Sequence, residues 1–201
     1  ITVPRGSDAT EMMGRALEHL EKTGARGKSQ ITATPVIDAG TLYIGSWDHN
    51  FYALDAMTGN PKWAFDAGRP IMDRAVAYAG RVIFVTGGGQ AQYDRGNGLV
   101  YALDSSSGRR AWIFDTLPDL EPAAKWPSNL PVIKDGVVFV TNWNATQYVT
   151  GSADTARVYM HAIDATSGKA RWSSKIQAAW PSPPVVTDKY VMFMTSARDA
   201  A

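Results

Sequence analysis

An eleven-residue pattern that recurs three times constrains the fold of this 201-residue chain more than any other feature. The pattern is Ala-[Leu/Ile]-Asp-x-x-[Ser/Thr]-Gly-x-x-x-Trp, and its copies occupy residues 53–63, 102–112 and 162–172 without insertion or deletion. The Asp side chain can accept hydrogen bonds from main-chain amides two residues on, and Gly tolerates a positive φ, so each copy predicts a tight turn. The closing tryptophan offers a large flat surface that can pack between neighbouring sheets.

A second pattern precedes each copy of the first. A Val-rich or Ala-Val segment, a glycine turn and another apolar segment follow one another at residues 35–44, 75–84 and 131–139. A fourth copy covers residues 184–193, with Lys189 at the position where glycine is expected. Alternating apolar residues and the enrichment in β-branched and aromatic side chains favour strands over helices.

Each complete unit therefore reads as four short antiparallel strands, which we name a to d in chain order. Four-stranded sheets repeated around an axis form a β-propeller. We predict an all-β fold with about three and a half blades in this chain, as part of a ring of roughly seven or eight. An ordinary β-sandwich with coincidental tryptophans is the alternative, and three matches at six specified positions argue against it.

The eleven-residue pattern resembles the tryptophan-docking motif of the quinoprotein family. That family includes the pyrroloquinoline quinone (PQQ) dependent alcohol dehydrogenases and PQQ-like propellers that have no cofactor. Residues 34–65 resemble one PQQ repeat, and the resemblance extends over about residues 31–196. It implies the propeller fold strongly and an activity only weakly, because one fold hosts many functions.

The first thirty residues differ from the repeats, and we predict a short helix over about residues 9–22. Asp8 and Glu11 have the spacing of a capping box, and Gly24 is a stop signal. The predicted organisation is a helical extension followed by a partial PQQ-like propeller. The extension covers residues 1–30 and the propeller residues 31–201, with blades at about 31–68, 72–116 and 127–176 and an incomplete fourth blade at 182–201.

Loop lengths vary at one end of the predicted strands only. In an up-and-down sheet the a–b and c–d turns share one end, and the b–c and d–a connections share the other, which we call the loop face. The distance from the glycine turn to the next copy of the first pattern is 13 residues from Gly40 to Ala53, 22 from Gly80 to Ala102 and 26 from Gly136 to Ala162. The additional b–c residues are 87–98 and 142–157, and the d–a connection over 115–129 is also long. Insertions confined to one face mark the working face of a repeat scaffold.

The resemblance implies candidate site residues where the loop face meets the propeller axis. Quinoprotein sites place a tryptophan under the planar quinone, Arg or Lys against its carbonyls, and carboxylate and Asn oxygens on Ca²⁺. Residues of these types stand near the starts of inner strands: Asp73, Arg74 and Lys125 as catalytic candidates, and Trp126, Asn129, Trp180 and Ser182 as cofactor-binding candidates. Ca²⁺ prefers hard oxygen ligands, and a cation polarises a carbonyl for hydride attack. The implied cofactors are PQQ and Ca²⁺, and no metal ligand set can be assigned. The alternative is that the cations are solvated and the tryptophans pack between blades.

Composition narrows the classes of function. The chain has no Cys, which excludes disulfides, thiolate metal sites and the vicinal cysteine pair often found over the quinone in alcohol dehydrogenases. A net charge of +1 offers no basic surface for nucleic acid, and no apolar run approaches the roughly 18 residues of a membrane span. We expect a periplasmic or otherwise exported protein whose start at Ile1 is processed or internal. Its expected partners are a small-molecule substrate and the remaining propeller blades, or other chains, that close the ring.

Three functions are open at this point. The first is a periplasmic quinoprotein-type oxidoreductase that oxidises an alcohol or a related substrate at a PQQ–Ca²⁺ centre. The second is a PQQ-like enzyme without quinone, such as a tetrathionate hydrolase. The third is a non-catalytic propeller scaffold for outer-membrane protein assembly, against which the long b–c loops argue. The first is our working hypothesis.

Overall fold

The computed structural model describes residues 31–87, 98–116, 125–126, 130–144, 157–176 and 182–195. Within these residues all regular structure is β-strand, as predicted. The predicted N-terminal helix falls in residues 1–30 and lies outside the described residues. The described part contains no helix that is long and apolar enough to cross a membrane.

The strands form successive antiparallel sheets, each made from one stretch of chain, which we number as units 1 to 4. Unit 1 contains β1 (Val36–Asp38), β2 (Thr41–Gly45), β3 (Asn50–Asp55) and β4 (Pro61–Asp66). Unit 2 contains β5 (Val76–Tyr78), β6 (Arg81–Val85), β7 (Leu99–Asp104) and β8 (Arg110–Asp115). Unit 3 contains β9 (Lys125–Trp126), β10 (Val132–Lys134), β11 (Val137–Asn144), β12 (Arg157–Asp164) and β13 (Ala170–Ile176). Unit 4 contains β14 (Val185–Val186) and β15 (Val191–Met192).

The same local geometry recurs at the c–d turn of each complete unit. The register shifts by one residue after Ala53, Ala102 and Ala162, so each c–d pair carries an equivalent irregularity. The Asp that follows the shift caps its turn: Asp55 accepts from Thr58 N at 2.9 Å, Asp104 from Ser107 N at 2.9 Å and Asp164 from Ser167 N at 2.9 Å. The predicted turn chemistry is therefore confirmed.

Neighbouring units are joined by their tryptophans. Trp63 of unit 1 donates its indole N–H to Ser105 O of unit 2 at 3.1 Å, and Trp112 of unit 2 donates to Ala165 O of unit 3 at 3.0 Å. Each indole lies against the turn glycine of the receiving unit, where a Cβ on Gly108 would stand 2.7 Å from the Trp63 ring. The first two tryptophans thus occupy equivalent places.

The hydrophobic core lies between the sheets. Between units 1 and 2, Phe51 stacks on Phe84 at 4.1 Å between ring centroids, and Phe84 stacks on Tyr101 at 5.4 Å. Between units 2 and 3 the core is aliphatic, with buried Val85 and Val138 in one cluster with Trp112. Burying such side chains between layers contributes roughly 1.5–3 kcal/mol each, so the stacking of units, more than any single sheet, stabilises the fold.

Hydrogen bonds between connections agree with the predicted division into two faces. Ala56 N of the c–d turn donates to Gly40 O of the a–b turn at 3.0 Å, and the equivalent bond is repeated in units 2 and 3. At the other end, Ala67 N of the d–a connection donates to His49 O of the b–c turn at 2.9 Å. The b–c and d–a connections therefore share the loop face.

One predicted loop is partly strand. Residues 142–157 were expected to form a b–c loop, but β11 runs to Asn144 and β12 begins at Arg157, with Asn142 paired to Tyr159. Extending the hairpin pairs main-chain N–H and C=O groups that a loop would leave to other partners. The inserted residues of unit 3 thus begin as a raised hairpin above the loop face.

Candidate functional site

The d–a connection between β4 and β5 lies on the loop face, between units 1 and 2. Ile71 is fully buried beneath it and lies so close to Gly45 that a Cβ there would overlap the Ile71 side chain. Ile71 N donates to Ser46 O at 3.0 Å, and Gly87 N of unit 2 donates to Pro70 O at 3.2 Å. The connection is therefore fixed to the b–c connections of two units before the chain reaches Asp73.

Asp73 is a partly buried carboxylate at the start of the inner strand of unit 2. Burial raises its pKa above the ordinary value. Among the described residues no hydrogen bond or ion pair reaches this carboxylate. A carboxylate that loses water without gaining a partner is costly to keep, and such groups cluster at functional sites. The adjacent Arg74 is exposed on the same connection.

Lys125 and Trp126 form β9, which pairs with β11 at its loop-face end. Trp126 lies opposite Trp143, and Lys125 lies opposite Asn144. Since β12 pairs along the other edge of β11, β9 continues the inner edge of unit 3 beyond β10. The main chain of these two residues therefore stands above the start of an inner strand, and their role in a site stays a prediction.

Ser182 joins unit 4 to unit 3 through its main-chain carbonyl, and its hydroxyl bonds stay within unit 4. Its Oγ accepts from Met194 N at 2.9 Å and donates to Pro183 O at 3.0 Å, while Ser182 O accepts from the Thr141 hydroxyl at 3.0 Å. These contacts give Ser182 a structural role, and its binding of a cofactor stays a prediction. The two remaining candidates, Asn129 and Trp180, lie outside the described residues.

A buried polar cluster between units 2 and 3 was not predicted. Asn142 and His161 project from neighbouring strands towards unit 2, where the Asn142 side-chain amide donates to the Thr116 hydroxyl. The His161 Nδ1 atom lies 2.8 Å from Ser173 Oγ. Among the described residues, no group meets hydrogen-bond geometry with Asn142 Oδ1 or His161 Nε2. In the sequence, Asn142 and His161 are recognisable only as polar residues at core-facing positions of their strands. That pattern fits a structural role as well as a functional one.

His161 lies within β12. Burial lowers its pKa to about 4, which outweighs the raising effects of the Thr116 main chain and of the Asp115 charge. The ring is therefore neutral at pH 7 and packs edge-on against Phe114, with ring centroids 5.3 Å apart. These contacts make His161 part of the interface between units.

The described residues do not by themselves form a Ca²⁺ site. Ca²⁺ takes roughly six to eight oxygen ligands, and no group of three His, Cys, Asp or Glu side chains comes together in the described ranges. Asp73 supplies one hard oxygen donor of the required kind, while the Ser182 hydroxyl is already used within the fold. A complete metal or quinone site would need ligands from outside these residues.

Comparisons with known proteins place the chain in a family. Residues 14–142 and 96–200 match the PQQ_2 family model, described as outer membrane protein assembly factor BamB. The chain is 26% identical over 159 residues to a quinohemoprotein alcohol dehydrogenase of Comamonas testosteroni, covering 77% of this chain and 21% of that protein. It is 31% identical over 169 residues to the serine/threonine-protein kinase AfsK of Streptomyces griseus, covering 83% of this chain and 18% of that protein.

Among solved structures, BamB from Moraxella catarrhalis superposes with a TM-score of 0.59 at 22% identity, covering 82% of this chain and 44% of that chain. This likeness confirms the predicted β-propeller fold, and at this identity it shows the fold alone. The chain spans about a fifth of the length of the two curated relatives. Because the family model matches most of the sequence, this protein belongs to the PQQ_2 family of β-propeller repeat proteins.

Proposed function

We propose that this protein is a periplasmic quinoprotein-type oxidoreductase that oxidises an alcohol or a related small molecule at the loop face. The observation that carries the proposal is the desolvated Asp73 carboxylate, which meets no hydrogen-bond donor or cation among the described residues. A raised pKa suits a carboxylate that accepts a proton during a reaction. The relatives named as quinohemoprotein alcohol dehydrogenases support this class of activity.

In this proposal the residues of the loop face divide the work by their chemistry. Asp73 accepts the proton of the substrate hydroxyl. The cationic side chains of Arg74 and Lys125 would stabilise negative charge on a carbonyl oxygen of a bound quinone. Bound PQQ with Ca²⁺ would supply the electron acceptor. The proposed binding residues for that group are Trp126, Asn129, Trp180 and Ser182.

The test is dye reduction by the natural protein after incubation with PQQ and Ca²⁺, with short alcohols as donors. Asp73→Asn keeps the size of the side chain but removes the base, so kcat/KM should fall by about 10²- to 10⁴-fold. Asp38→Asn is the matched control, because Asp38 is exposed beside the a–b turn on the opposite face. Unchanged turnover in Asp73→Asn, or no PQQ binding by the natural protein, would contradict the proposal.

A second candidate is a non-catalytic scaffold for outer-membrane protein assembly. The description of the matching family model favours it, and one fold serves both catalysis and binding. In-cell cross-linking should then recover outer-membrane assembly proteins with the natural protein, and the same preparation should show no alcohol-dependent dye reduction. Recovery of no such protein would remove this candidate.

A further inference from the structure

We infer that the contact between Gly45 and Ile71 positions Asp73 for the proposed reaction, so that Ile71 is a positioning residue of the site. Gly45 ends strand b of unit 1, and Ile71 lies on the d–a connection that leads to unit 2. The inference rests on the proposed function, because Asp73 is the base in that reaction. It adds the way in which the fold holds this base in place.

A close approach of the main chain requires glycine at residue 45. Gly45 is buried within β2 and does not have a positive φ, so its own conformation does not call for glycine. A Cβ at this position would overlap the Ile71 side chain and would stand 2.9 Å from the Ile71 main-chain oxygen. Glycine inside a strand often marks a site where another backbone approaches closely. The d–a connection therefore lies directly on strand b of unit 1.

The same repeat position carries a side chain in units 2 and 3. This position follows the a–b turn glycine by five residues in each unit, which makes Val85 and Thr141 the equivalents of Gly45. In unit 3, the Thr141 hydroxyl donates to Ser182 O at 3.0 Å, on the connection that leads to unit 4. The position thus contacts the following d–a connection in units 1 and 3. Unit 1 achieves this by leaving the space of a side chain to Ile71.

The chain has little freedom between Ile71 and Asp73. Ile71 N donates to Ser46 O at 3.0 Å. Ile71 is 0% exposed and Ala75 is 3% exposed, and both belong to the buried cluster between units 1 and 2. Asp73 lies midway between these two buried residues, so its main chain moves when either of them moves. A misplacement of about 1 Å at a reacting group can cost about 10²-fold in rate.

Two glycine substitutions in unit 1 test the inference in the dye-reduction assay of the natural protein with PQQ and Ca²⁺. Gly45→Ala should push the connection away from strand b, so kcat should fall by about tenfold or more while KM changes by less than about threefold. Gly40→Ala is the matched control, because a Cβ on this turn glycine would meet no atom of the described residues within 4 Å. It strains a positive φ and lowers stability, but it should leave kcat unchanged.

A graded series at Ile71 keeps the test decisive if Gly45→Ala does not fold. Ile71→Val retains the Cβ and Cγ2 atoms that approach Gly45, whereas Ile71→Ala removes Cγ2. The value of kcat should therefore stay within about twofold in the Val variant and fall by about tenfold or more in the Ala variant. A role in stability alone would leave kcat of the folded protein unchanged in both variants.

Failure of the inference and failure of the proposed function give different results. If the natural protein reduces the dye and neither Gly45→Ala nor Ile71→Ala lowers kcat, the inference is wrong and the proposed function stands. If the natural protein shows no activity, hydrogen–deuterium exchange measured by mass spectrometry still tests the contact. Gly45→Ala should speed exchange in the peptide that covers residues 66–75 by about tenfold or more, because the Ile71 N–H loses Ser46 O. Exchange as slow as in Gly40→Ala would overturn the inference.

Discussion

At the scale of single residues, two glycines distinguish the cost of a positive-φ backbone from the cost of overpacking. Gly80 and Gly168 both have positive φ, at 74° and 71°. A Cβ on Gly80 would meet no atom of the described residues within 4 Å, whereas one on Gly168 would stand 2.6 Å from the Trp112 ring. Gly80→Ala should cost about 1–2 kcal/mol through φ alone. Gly168→Ala should cost about 1–3 kcal/mol more through overpacking.

Urea unfolding followed by circular dichroism measures both losses under one condition. The two variants share the same chemical change, so the difference between them isolates the contact with Trp112. Equal losses in free energy of unfolding would mean that the indole moves aside at no cost. The close contact between Gly168 and the Trp112 ring would then not constrain the tryptophan.

His161 makes stability depend on pH in a defined window. Its pKa is about 4 in the folded protein and about 6.5 when unfolded, so the unfolded chain binds the proton more readily. The contribution of the neutral ring is fully present above pH 6.5 and is lost as the pH falls towards 4. At full protonation the loss is about 3 kcal/mol.

The measurement for His161 compares the wild type with His161→Gln by urea unfolding at several values between pH 7.5 and pH 4. Gln can still bond the Ser173 hydroxyl but does not titrate in this range. The wild type should therefore lose more stability than the variant as the pH falls, while the acidic groups common to both cancel. Parallel pH profiles would show that the ring titrates normally and would contradict its burial.

At the scale of elements, the sequence predicted the features whose physics is local. An Asp three residues before Ser or Thr, followed by Gly, defines a turn wherever it occurs, and all three c–d turns have the expected capping bonds. Strand type followed from β-branched and aromatic content in the same way. These features could be predicted because each depends on residues fewer than about ten apart in the chain.

Features that depend on distant partners were harder to predict. The extension of β11 to Asn144 depends on pairing with β12 and with β9, which come from different stretches of chain. The roles of Asn142 and His161 depend on Thr116 in the preceding unit. For the candidate site, the sequence predicted that the site lies on the loop face and which types of residue would form it. Asp73 stood out only when the structure gave its burial, and the other candidates remain predictions.

At the scale of the whole molecule, the units form a stack in which each sheet contacts its neighbours. Buried clusters join unit 1 to unit 2 and unit 2 to unit 3. Val186 and Val191 of unit 4 pack against a smaller cluster of unit 3, and the Lys134–Asp188 ion pair at 2.7 Å spans the same interface. That ion pair is exposed and contributes little. Among the described residues, the two larger buried clusters lie at the first two interfaces, so most of the energy that couples these residues lies there.

The tryptophans of units 2 and 3 test this distribution of stability. Trp112 is 9% exposed and bonds Ala165 O at 3.0 Å, whereas Trp172 is 42% exposed. Trp112→Ala should lower the free energy of unfolding by about 3–5 kcal/mol, while Trp172→Ala should lower it by about 1 kcal/mol or less. Guanidinium unfolding measures both. Trp112→Phe is a milder variant that keeps an aromatic ring but loses the indole N–H bond and part of the packing, so its loss should fall between those of the two alanine variants. Equal losses in the two alanine variants would mean that Trp172 already supports the fold as Trp112 does, and the stack would then gain as much from its third tryptophan as from its second.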